Sequence, residues 1–354
     1  MIGDLEELVT CESYSADLEA VARSAKVVGA LGRRLLGAEP EYIVIDGVTH
    51  LRWSFGAPRV LMLGHHDTVW PIGTLRTHPW SVVDGVARGP GVFDMKSGLV
   101  QIFHALAGLP DLDGVTILVT GDEEVGSITS RGLIEETARG LAAAFVTEAS
   151  ADGGALKTGR KGTSNYEVQV YGRAAHAGLE PERGINAGVE LAHQILAVAG
   201  LGSGATSVVP TVLSGGTTLN TVPAQARVGV DVRVPTLAEQ ARVDRAVREL
   251  APVLDGSRLE VSGGPNRPPL ETAMSASLFA LAQQVAATLG QPELTEASVG
   301  GASDGNFTAG IGVPTLDGLG GVGGGAHADH EHVIAAEMEP RTALLRGLVR
   351  AVLS

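Results

Sequence analysis

Histidine and carboxylate residues follow several of the apolar segments of this 354-residue chain. The run Val60-Leu61-Met62-Leu63 leads directly into Gly64-His65-His66-Asp67. The run predicts a buried strand, and residues two apart on a strand point to the same side, so His65 and Asp67 face one cleft. A carboxylate behind a metal-binding histidine orients its ring. We therefore interpret the triplet as one arm of a metal site, with His66 facing away and tolerant of replacement.

Two further predicted strands end in acidic residues. Residues 115–120 lead to Glu123 and Glu124, and residues 143–147 lead to Glu148. Ligands of parallel α/β sheets bind outside the carboxyl ends of the strands, so these carboxylates converge on one cleft with Asp67. Glu123 and Glu124 repel each other unless a cation lies between them, although two acids at a helix start are also common.

Glycine-rich loops precede the last two candidate ligands, Asp94 and His327. The complete set of candidates is His65, Asp94, Glu124, Glu148 and His327. Five ligands suffice for two zinc ions when one carboxylate, here Asp94, is shared by both. Nitrogen and oxygen ligands without thiolate favour Zn²⁺, with Mn²⁺ or Co²⁺ as alternatives. Each residue alone has an ordinary structural explanation, but together they predict a metal site.

Composition excludes several classes of function. The formal net charge of −14 argues against nucleic acid or an anionic membrane as a partner. A single cysteine, Cys11, cannot form an intramolecular disulfide and fits a reducing compartment. The acidic start lacks the features of a signal peptide, and no uncharged run suits a membrane span. We expect a soluble, cytoplasmic protein.

The order of elements predicts two domains. Strands and helices alternate up to about residue 162 and again from 269, which indicates an α/β fold with a mostly parallel central sheet. Residues 163–268 instead follow the order β-α-β-β-α-β, which is typical of a ferredoxin-like α+β domain. We expect a discontinuous catalytic domain, 1–162 and 269–354, with 163–268 inserted as a lid or dimerisation domain.

Five separated motifs carry a resemblance that covers essentially the whole chain. They are Gly64-His65-His66-Asp67-Thr68, Gly89-Pro90-Gly91-Val92-Phe93-Asp94-Met95-Lys96, Gly121-Asp122-Glu123-Glu124-Val125-Gly126, Arg173-Ala174-Ala175-His176-Ala177-Gly178 and His327-Ala328-Asp329-His330-Glu331-His332-Val333. The chain resembles the dinuclear zinc aminoacylase/carboxypeptidase family, which includes acetylornithine deacetylase, succinyl-diaminopimelate desuccinylase and carboxypeptidase G-type glutamate carboxypeptidases. The loop at residues 70–74 and Asp94-Met95-Lys96 are most similar to the carboxypeptidase G branch.

The resemblance implies a role for each candidate in the metal site. One zinc would be held by His65, Asp94 and Glu148, and the other by Asp94, Glu124 and His327. Glu123 would be the general base, acting on a water between the two ions, and Asp67 would orient His65. The peptide bond after Asp94 would be cis.

One ligand position departs from the family pattern. Ala328 follows His327, where a small hydroxyl residue is common, and His330 and His332 are additional imidazoles nearby. We assign His327 because it follows the glycine run and precedes Glu331 at the family spacing. His330 is the alternative ligand.

The inserted domain carries four further candidates by resemblance. His176 would reach the active site of a neighbouring subunit and donate to the oxyanion, which requires a homodimer. Asn220, Arg233 and Arg267 would face the substrate, and Arg267 would bind its α-carboxylate through a bidentate guanidinium. A salt bridge with Asp231 is the alternative explanation for Arg233.

These assignments lead to three functional hypotheses. The first is a two-zinc carboxypeptidase that releases a C-terminal amino acid, of the glutamate type, from a small substrate with a free carboxylate. The second is an amidohydrolase acting on N-acyl-amino acids. The third is a catalytically silent, metal- or peptide-binding homodimer. The basic pair Arg160-Lys161 is a candidate for reading an acidic substrate side chain, although it does not reproduce the motif of the glutamate-releasing branch.

Overall fold

The computed structural model describes all 354 residues. The chain forms two compact units, one made of Met1–Arg160 with Leu270–Ser354 and the other of Lys161–Pro269. We call them unit 1 and unit 2. The sequence-based boundaries, after residues 162 and 268, fall beside these. No helix combines the length and apolar character that crossing a membrane requires.

The regular elements follow the predicted order closely. The helices are α1 (Ile2–Thr10), α2 (Leu18–Leu36), α3 (Ser97–Ala107), α4 (Arg131–Ala138), α5 (Ala187–Ala199), α6 (Leu237–Arg248), α7 (Thr272–Thr288), α8 (Gly305–Gly310) and α9 (Met338–Leu353). The strands are β1 (Glu41–Ile45), β2 (Val48–Ser54), β3 (Val60–His65), β4 (Ser81–Val83), β5 (Val86–Arg88), β6 (Val115–Thr120), β7 (Ala143–Val146), β8 (Leu156–Arg160), β9 (Gly162–Tyr171), β10 (Ser207–Gly215), β11 (Gln225–Val234), β12 (Arg258–Arg267), β13 (Glu296–Val299), β14 (Thr315–Leu316), β15 (Gly323–Gly324) and β16 (His332–Ile334).

The central sheet of unit 1 has six strands in the order β1-β2-β6-β3-β7-β14. The four strands β6, β3, β7 and β14 are parallel, whereas β1 and β2 join antiparallel at one edge. The expectation of an α/β fold with a mostly parallel sheet is therefore confirmed. The parallel portion places the carboxyl ends of β3, β6 and β7 side by side.

Both faces of this sheet are covered, as the uninterrupted apolar runs require. In β3, Val60 and Met62 join one hydrophobic cluster with residues of α2, α3 and α9. The alternate residues Leu61 and Leu63 join a second cluster with residues of α4 and α8. This period of two fixes the register of β3, so that His65 emerges at the end of a strand that is buried along its whole length.

Unit 1 also contains several short elements. Strands β8 and β13 pair in parallel although nearly 140 residues separate them along the chain. The strands β15, β16, β5 and β4 form a small separate sheet in that order. The short helix α8 follows directly after Asp304. These elements hold loops of the candidate site, as described below.

Unit 2 has the predicted β-α-β-β-α-β order and an antiparallel sheet in the order β10-β11-β9-β12. This arrangement confirms the ferredoxin-like fold of the insert. Alternate residues of β9 and β11, including Val168, Val170, Val228 and Val230, are buried against α5 and α6 in a core of the unit's own residues. Strand β12 runs to Arg267, two residues before the end of the unit.

Candidate metal centre

Three neighbouring parallel strands deliver most of the candidate residues to one edge of the central sheet. His65 is the last residue of β3, Glu123 and Glu124 follow β6, and Glu148 follows β7. Since these strands are adjacent and parallel, their side chains meet at the carboxyl edge, where ligands of such sheets bind.

The other two candidates arrive from loops with unusual backbone geometry. Asp94 follows Gly91, whose φ of +71° favours glycine, and the Asp94-Met95 peptide bond is cis, as the resemblance implied. His327 itself has a φ of +61°.

The five candidate ligands form two groups of atoms that share Asp94. In the first group, His65 Nε2 lies 3.3 Å from Asp94 Oδ1 and 3.4 Å from Glu148 Oε1. In the second, His327 Nε2 lies 3.4 Å from Asp94 Oδ2 and 3.1 Å from Glu124 Oε2. Tetrahedral ligand atoms about 2.0 Å from a metal lie about 3.3 Å apart, which matches both groups.

Unsatisfied polar atoms support the same interpretation. His65 Nε2 and Glu124 Oε1 are buried and have no hydrogen-bond partner within the protein. Buried polar atoms are normally paired, and an atom that binds metal is an exception that needs no other partner. The oxygen and nitrogen donors therefore fit two metal ions that share the carboxylate of Asp94.

The ionisable groups of the cluster strongly perturb one another. Burial, together with the charge on Asp94, raises the pKa of Glu124 to about 8. Hydrogen bonds to Asp94 and Glu124 raise the pKa of His327 to about 10. Burial opposes ionisation of Asp94, but the neighbouring imidazoles of His327 and His65 hold its pKa well below the usual range. Without metal, protonated imidazoles thus supply the positive charge that this acidic cluster needs.

Asp67 holds two parts of the centre at once. Its backbone carbonyl lies 3.0 Å from Nδ1 of His65, and its Oδ1 lies 3.4 Å from the same nitrogen. Its carboxylate also accepts hydrogen bonds of 3.2 Å from the backbone N–H groups of Glu123 and Glu124, and one of 2.7 Å from the Ser15 hydroxyl. Asp67 therefore fixes the orientation of His65 and the start of the Glu123-Glu124 turn.

Glu123 lies beside the first group of ligands. One of its carboxylate oxygens and ligand atoms of His65 and Glu148 all lie within 4.8 Å of one another. Its side chain is buried but retains 8% of its accessible surface. A carboxylate in this position can reach a water molecule held between the ligand groups.

Glu331 is a residue whose role the sequence analysis missed. Its carboxylate accepts hydrogen bonds from the backbone N–H groups of Gly91, Phe93 and Asp94, at 2.9, 2.9 and 3.0 Å. The indole N–H of Trp70 donates to it as well, at 2.8 Å. Glu331 therefore anchors the loop that carries Asp94. The sequence offered only its spacing from His327 as a signal, because contacts to backbone amides leave no pattern in residue types.

The histidines near the centre separate into different roles. His327, rather than the alternative His330, contacts Asp94 and Glu124. His66 follows β3 and points to β2, where its Nε2 lies 3.0 Å from the Thr49 carbonyl oxygen. Its side chain is completely buried, which lowers its pKa to about 4 and argues against the expectation that His66 tolerates replacement.

Arg160 contacts the protein rather than solvent. The side chain is buried, with Nε 2.6 Å from Asp317 Oδ2 and Nη2 3.8 Å from Glu148 Oε2. Its Nη1 donates to the carbonyl of Gly301 at 3.0 Å. These contacts favour a role behind Glu148 over the hypothesis that Arg160 reads a substrate side chain.

The four candidates of unit 2 occupy two places within that unit. His176 and Asn220 are exposed on adjacent loops, joined by a 2.9 Å hydrogen bond from Ala177 N to Asn220 O. Nδ1 of His176 accepts from the amides of Gly178 and Leu179, at 3.1 Å each.

Arg233 on β11 and Arg267 on β12 both lie opposite Thr163 of the intervening strand β9. The guanidinium of Arg233 makes a two-pronged ion pair with Asp231, at 2.9 and 3.0 Å, which favours the structural explanation for it. Arg267 is 95% buried, with 5% of its surface accessible.

Comparisons with known proteins agree with this geometry. The profile of a family described as Peptidase family M20/M25/M40 matches residues 61–351. Carboxypeptidase G2 from Pseudomonas sp. (strain RS-16) is 29% identical over 361 residues, covering 96% of this chain and 86% of that protein. Succinyl-diaminopimelate desuccinylase from Aliarcobacter butzleri is 25% identical over 306 residues, covering 81% and 82%. The structure of an M20 family metallo-carboxypeptidase from Sulfolobus solfataricus superposes with a TM-score of 0.78 at 16% identity, covering 99% and 98%.

Proposed function

Because the chain belongs to peptidase family M20/M25/M40, and is therefore a metal-dependent peptidase or amidohydrolase, we propose that it is a two-zinc carboxypeptidase. In this proposal it hydrolyses a peptide or amide bond and releases a C-terminal amino acid, of the glutamate type. The observation that carries the proposal is the pair of ligand groups that share Asp94, with ligand atoms 3.1 to 3.4 Å apart.

The metal site assigns a role to each of five residues. His65, Asp94 and Glu148 hold one ion, and Asp94, Glu124 and His327 hold the other. A zinc ion held by these residues would lower the pKa of a water molecule and polarise the scissile carbonyl. Asp67 keeps the His65 ring in position, and Glu331 keeps the Asp94 loop in position.

Glu123 carries the proton transfers. It takes a proton from the water that attacks the scissile carbonyl carbon, and it later gives this proton to the departing nitrogen. The products are a carboxylic acid and an amine. Two observations support this assignment: the carboxylate of Glu123 lies beside the first ligand group, and its side chain keeps a small accessible surface.

Residues of unit 2 supply recognition in this proposal. Arg267 binds the α-carboxylate of the substrate, because a guanidinium fork matches a carboxylate with two parallel hydrogen bonds. His176 donates to the oxyanion from a second copy of the chain in a homodimer, and Asn220 faces the substrate. Arg233 is the weakest of the four candidates, since Asp231 already occupies its guanidinium.

Hydrolysis of N-acyl-amino acids is the second candidate function. The similarity to a succinyl-diaminopimelate desuccinylase favours it, and both reactions use the same centre. A silent binding protein is disfavoured, because Glu123 and all five candidate ligands are present.

A substrate screen tests the proposal. The zinc-loaded protein is incubated with C-terminal glutamyl peptides, other dipeptides, peptides with an amidated C-terminus, and N-acyl-amino acids. We expect hydrolysis of the free-carboxylate peptides, with preference for glutamate. Preference for N-acyl-amino acids would favour the second function, and cleavage of amidated peptides at an equal rate would contradict recognition of the carboxylate.

The variant Glu123→Ala supplies the mechanistic control. We expect it to bind two metal ions, as counted by elemental analysis, and to lower kcat by about 10³-fold, within the usual range for removal of a general base. Unchanged kcat would exclude Glu123 as the base.

A further inference from the structure

A buried carboxylate behind the candidate centre has no role in the mechanism described so far. Asp304 lies just before α8, with 2% of its surface accessible. Its Oδ2 accepts a 2.7 Å hydrogen bond from the Thr120 hydroxyl. Its Oδ1 accepts a second, very short hydrogen bond from the Ser127 hydroxyl. Thr120 and Ser127 are both completely buried.

These two hydroxyls lie on either side of one short loop. Thr120 is the last residue of β6, and Ser127 follows Gly126. The loop between them, residues 121–126, carries both Glu123 and Glu124. A single carboxylate from a distant part of the chain thus holds the residue before the loop and the residue after it.

The loop has other contacts at its start and in its middle. Gly121 N donates to Nδ1 of His50 at 3.2 Å, and Asp67 binds the amides of Glu123 and Glu124. Within the loop, Gly126 N donates to Glu123 O and Ser127 N donates to Asp122 O. The bonds to Asp304 differ from these because one carboxylate holds both the residue before the loop and the residue after it.

We propose that Asp304 is a positioning residue for hydrolysis, which clamps both ends of the 121–126 loop so that Glu123 and Glu124 stay in place. The inference rests on the proposed function for the roles of these two glutamates. It adds a residue that touches neither substrate nor metal and acts through Thr120 and Ser127. Small displacements of a reacting group are costly to rate, so the effect is expected in kcat.

Kinetics of Asp304→Ala, compared with a matched variant of the same helix, form the first test. Thr308→Val is the match, because Thr308 is fully buried in α8 and its hydroxyl lies 2.8 Å from that of Thr315. At saturating metal we expect Asp304→Ala to lower kcat by about 30-fold with KM changed less than about threefold. Thr308→Val is expected to keep kcat within about twofold.

Conservative replacement at the partner residue keeps the proposal testable if Asp304→Ala does not fold. Thr120→Ser retains the hydroxyl that donates to Asp304, whereas Thr120→Val removes it and keeps the shape. We expect Thr120→Ser to retain most of the activity and Thr120→Val to lose it. Equal activity of the two variants, or an equal loss in Asp304→Ala and Thr308→Val, would overturn the proposal.

Hydrogen exchange of the metal-free protein tests the clamp without any activity. We expect Asp304→Ala and Thr120→Val to raise amide exchange in residues 121–127 by about tenfold, with exchange unchanged in Thr308→Val. Unchanged exchange in this loop would contradict the clamp even if the enzyme is active. If the two variants exchange faster although the wild-type protein hydrolyses no substrate, the clamp is supported and the proposed function is rejected.

Discussion

The protons on His327 and Glu124 compete with metal. Their pKa values are raised to about 10 and about 8, so in the metal-free protein both positions bind protons at neutral pH. A metal ion needs both groups deprotonated, so its affinity rises with pH up to this range and falls as the solution is acidified.

We therefore predict that zinc binding at pH 7 releases about one proton or more from the second ligand group. Calorimetry in two buffers with different ionisation enthalpies measures the number released. His327→Ala is the informative comparison, because it removes one of the competing protons. A binding enthalpy that is the same in both buffers would contradict this prediction.

His66 makes a different prediction, about stability. Its pKa is lowered from 6.5 to about 4 because burial disfavours its charged form. Between these values the unfolded chain binds more protons than the folded chain, so the contribution of this residue to stability declines as pH falls through that window.

We expect His66→Leu to lower the free energy of unfolding by about 1–3 kcal/mol at pH 7, because it removes the hydrogen bond to Thr49. The variant should also show a weaker decline in stability between pH 6.5 and 4. Denaturant unfolding at several pH values measures both effects, and exposed His193→Leu is the control. A variant as stable as the wild type would restore the tolerance that the sequence suggested.

At the level of single residues, the sequence predicts the candidate site best where a side chain is itself a candidate metal ligand. His65, Glu124 and Glu148 could be found because they end apolar runs, and Asp94 and His327 because glycines precede them. Three supporting carboxylates could not be found in this way: Glu331, Asp304 and Asp317, the partner of Arg160. They act on backbone amides or on residues far along the chain, and neither kind of contact constrains the neighbouring sequence.

Among the elements, α5 carries a buried glutamate that holds the loop at residues 253–257. Its residue Glu190 accepts hydrogen bonds from the amides of Val253 and Leu254 and from the Ser257 hydroxyl, the shortest at 2.6 Å. Burial acts to raise the pKa of Glu190, but these bonds and one from Gln194 lower it. The bonds therefore stabilise the fold above the unfolded-state pKa of about 4.3 and are lost as pH falls through the lower folded-state value.

We predict that Glu190→Gln lowers the stability of unit 2 by about 1.5–3 kcal/mol at pH 7, the usual value of charged hydrogen bonds. The difference from wild type should shrink below about pH 4. Thermal unfolding of variant and wild type at pH 7 and below about pH 4 measures this difference in stability, with exposed Glu182→Gln as the control. A difference that is independent of pH would show that the charge on Glu190 does not matter.

Elements with a strong internal pattern were predictable, and elements defined by a distant partner were not. Strands β3 and β6 are buried along their whole length, and α3 buries Leu99, Ile102, Phe103 and Leu106 at helical spacing. By contrast, β8 and β13 are short and contain Gly159 or Ser298. They become strands only because each supplies the other's hydrogen bonds.

For the whole molecule, the two units differ in how the chain builds them. Unit 2 is continuous, and its hydrophobic core contains only its own residues. A segment with its own core and a complete sheet is expected to fold alone.

We predict that residues 161–269 expressed separately unfold in one cooperative transition. Val228→Asn, at a completely buried position, should abolish the transition, whereas Val212→Asn, at a position that is 60% exposed, should leave it nearly unchanged. A fragment without cooperative unfolding would mean that unit 2 depends on unit 1 for its fold.

The interrupted path of unit 1 has a consequence for synthesis on the ribosome. His65, Asp94 and Glu148 all precede unit 2 in the chain, whereas His327 comes after it. A nascent chain can therefore present the first ligand group long before it can complete the second. The same chain still lacks β14 and α9, which belong to the same unit. The second group of candidate ligands therefore cannot form before the chain beyond unit 2 has been synthesised.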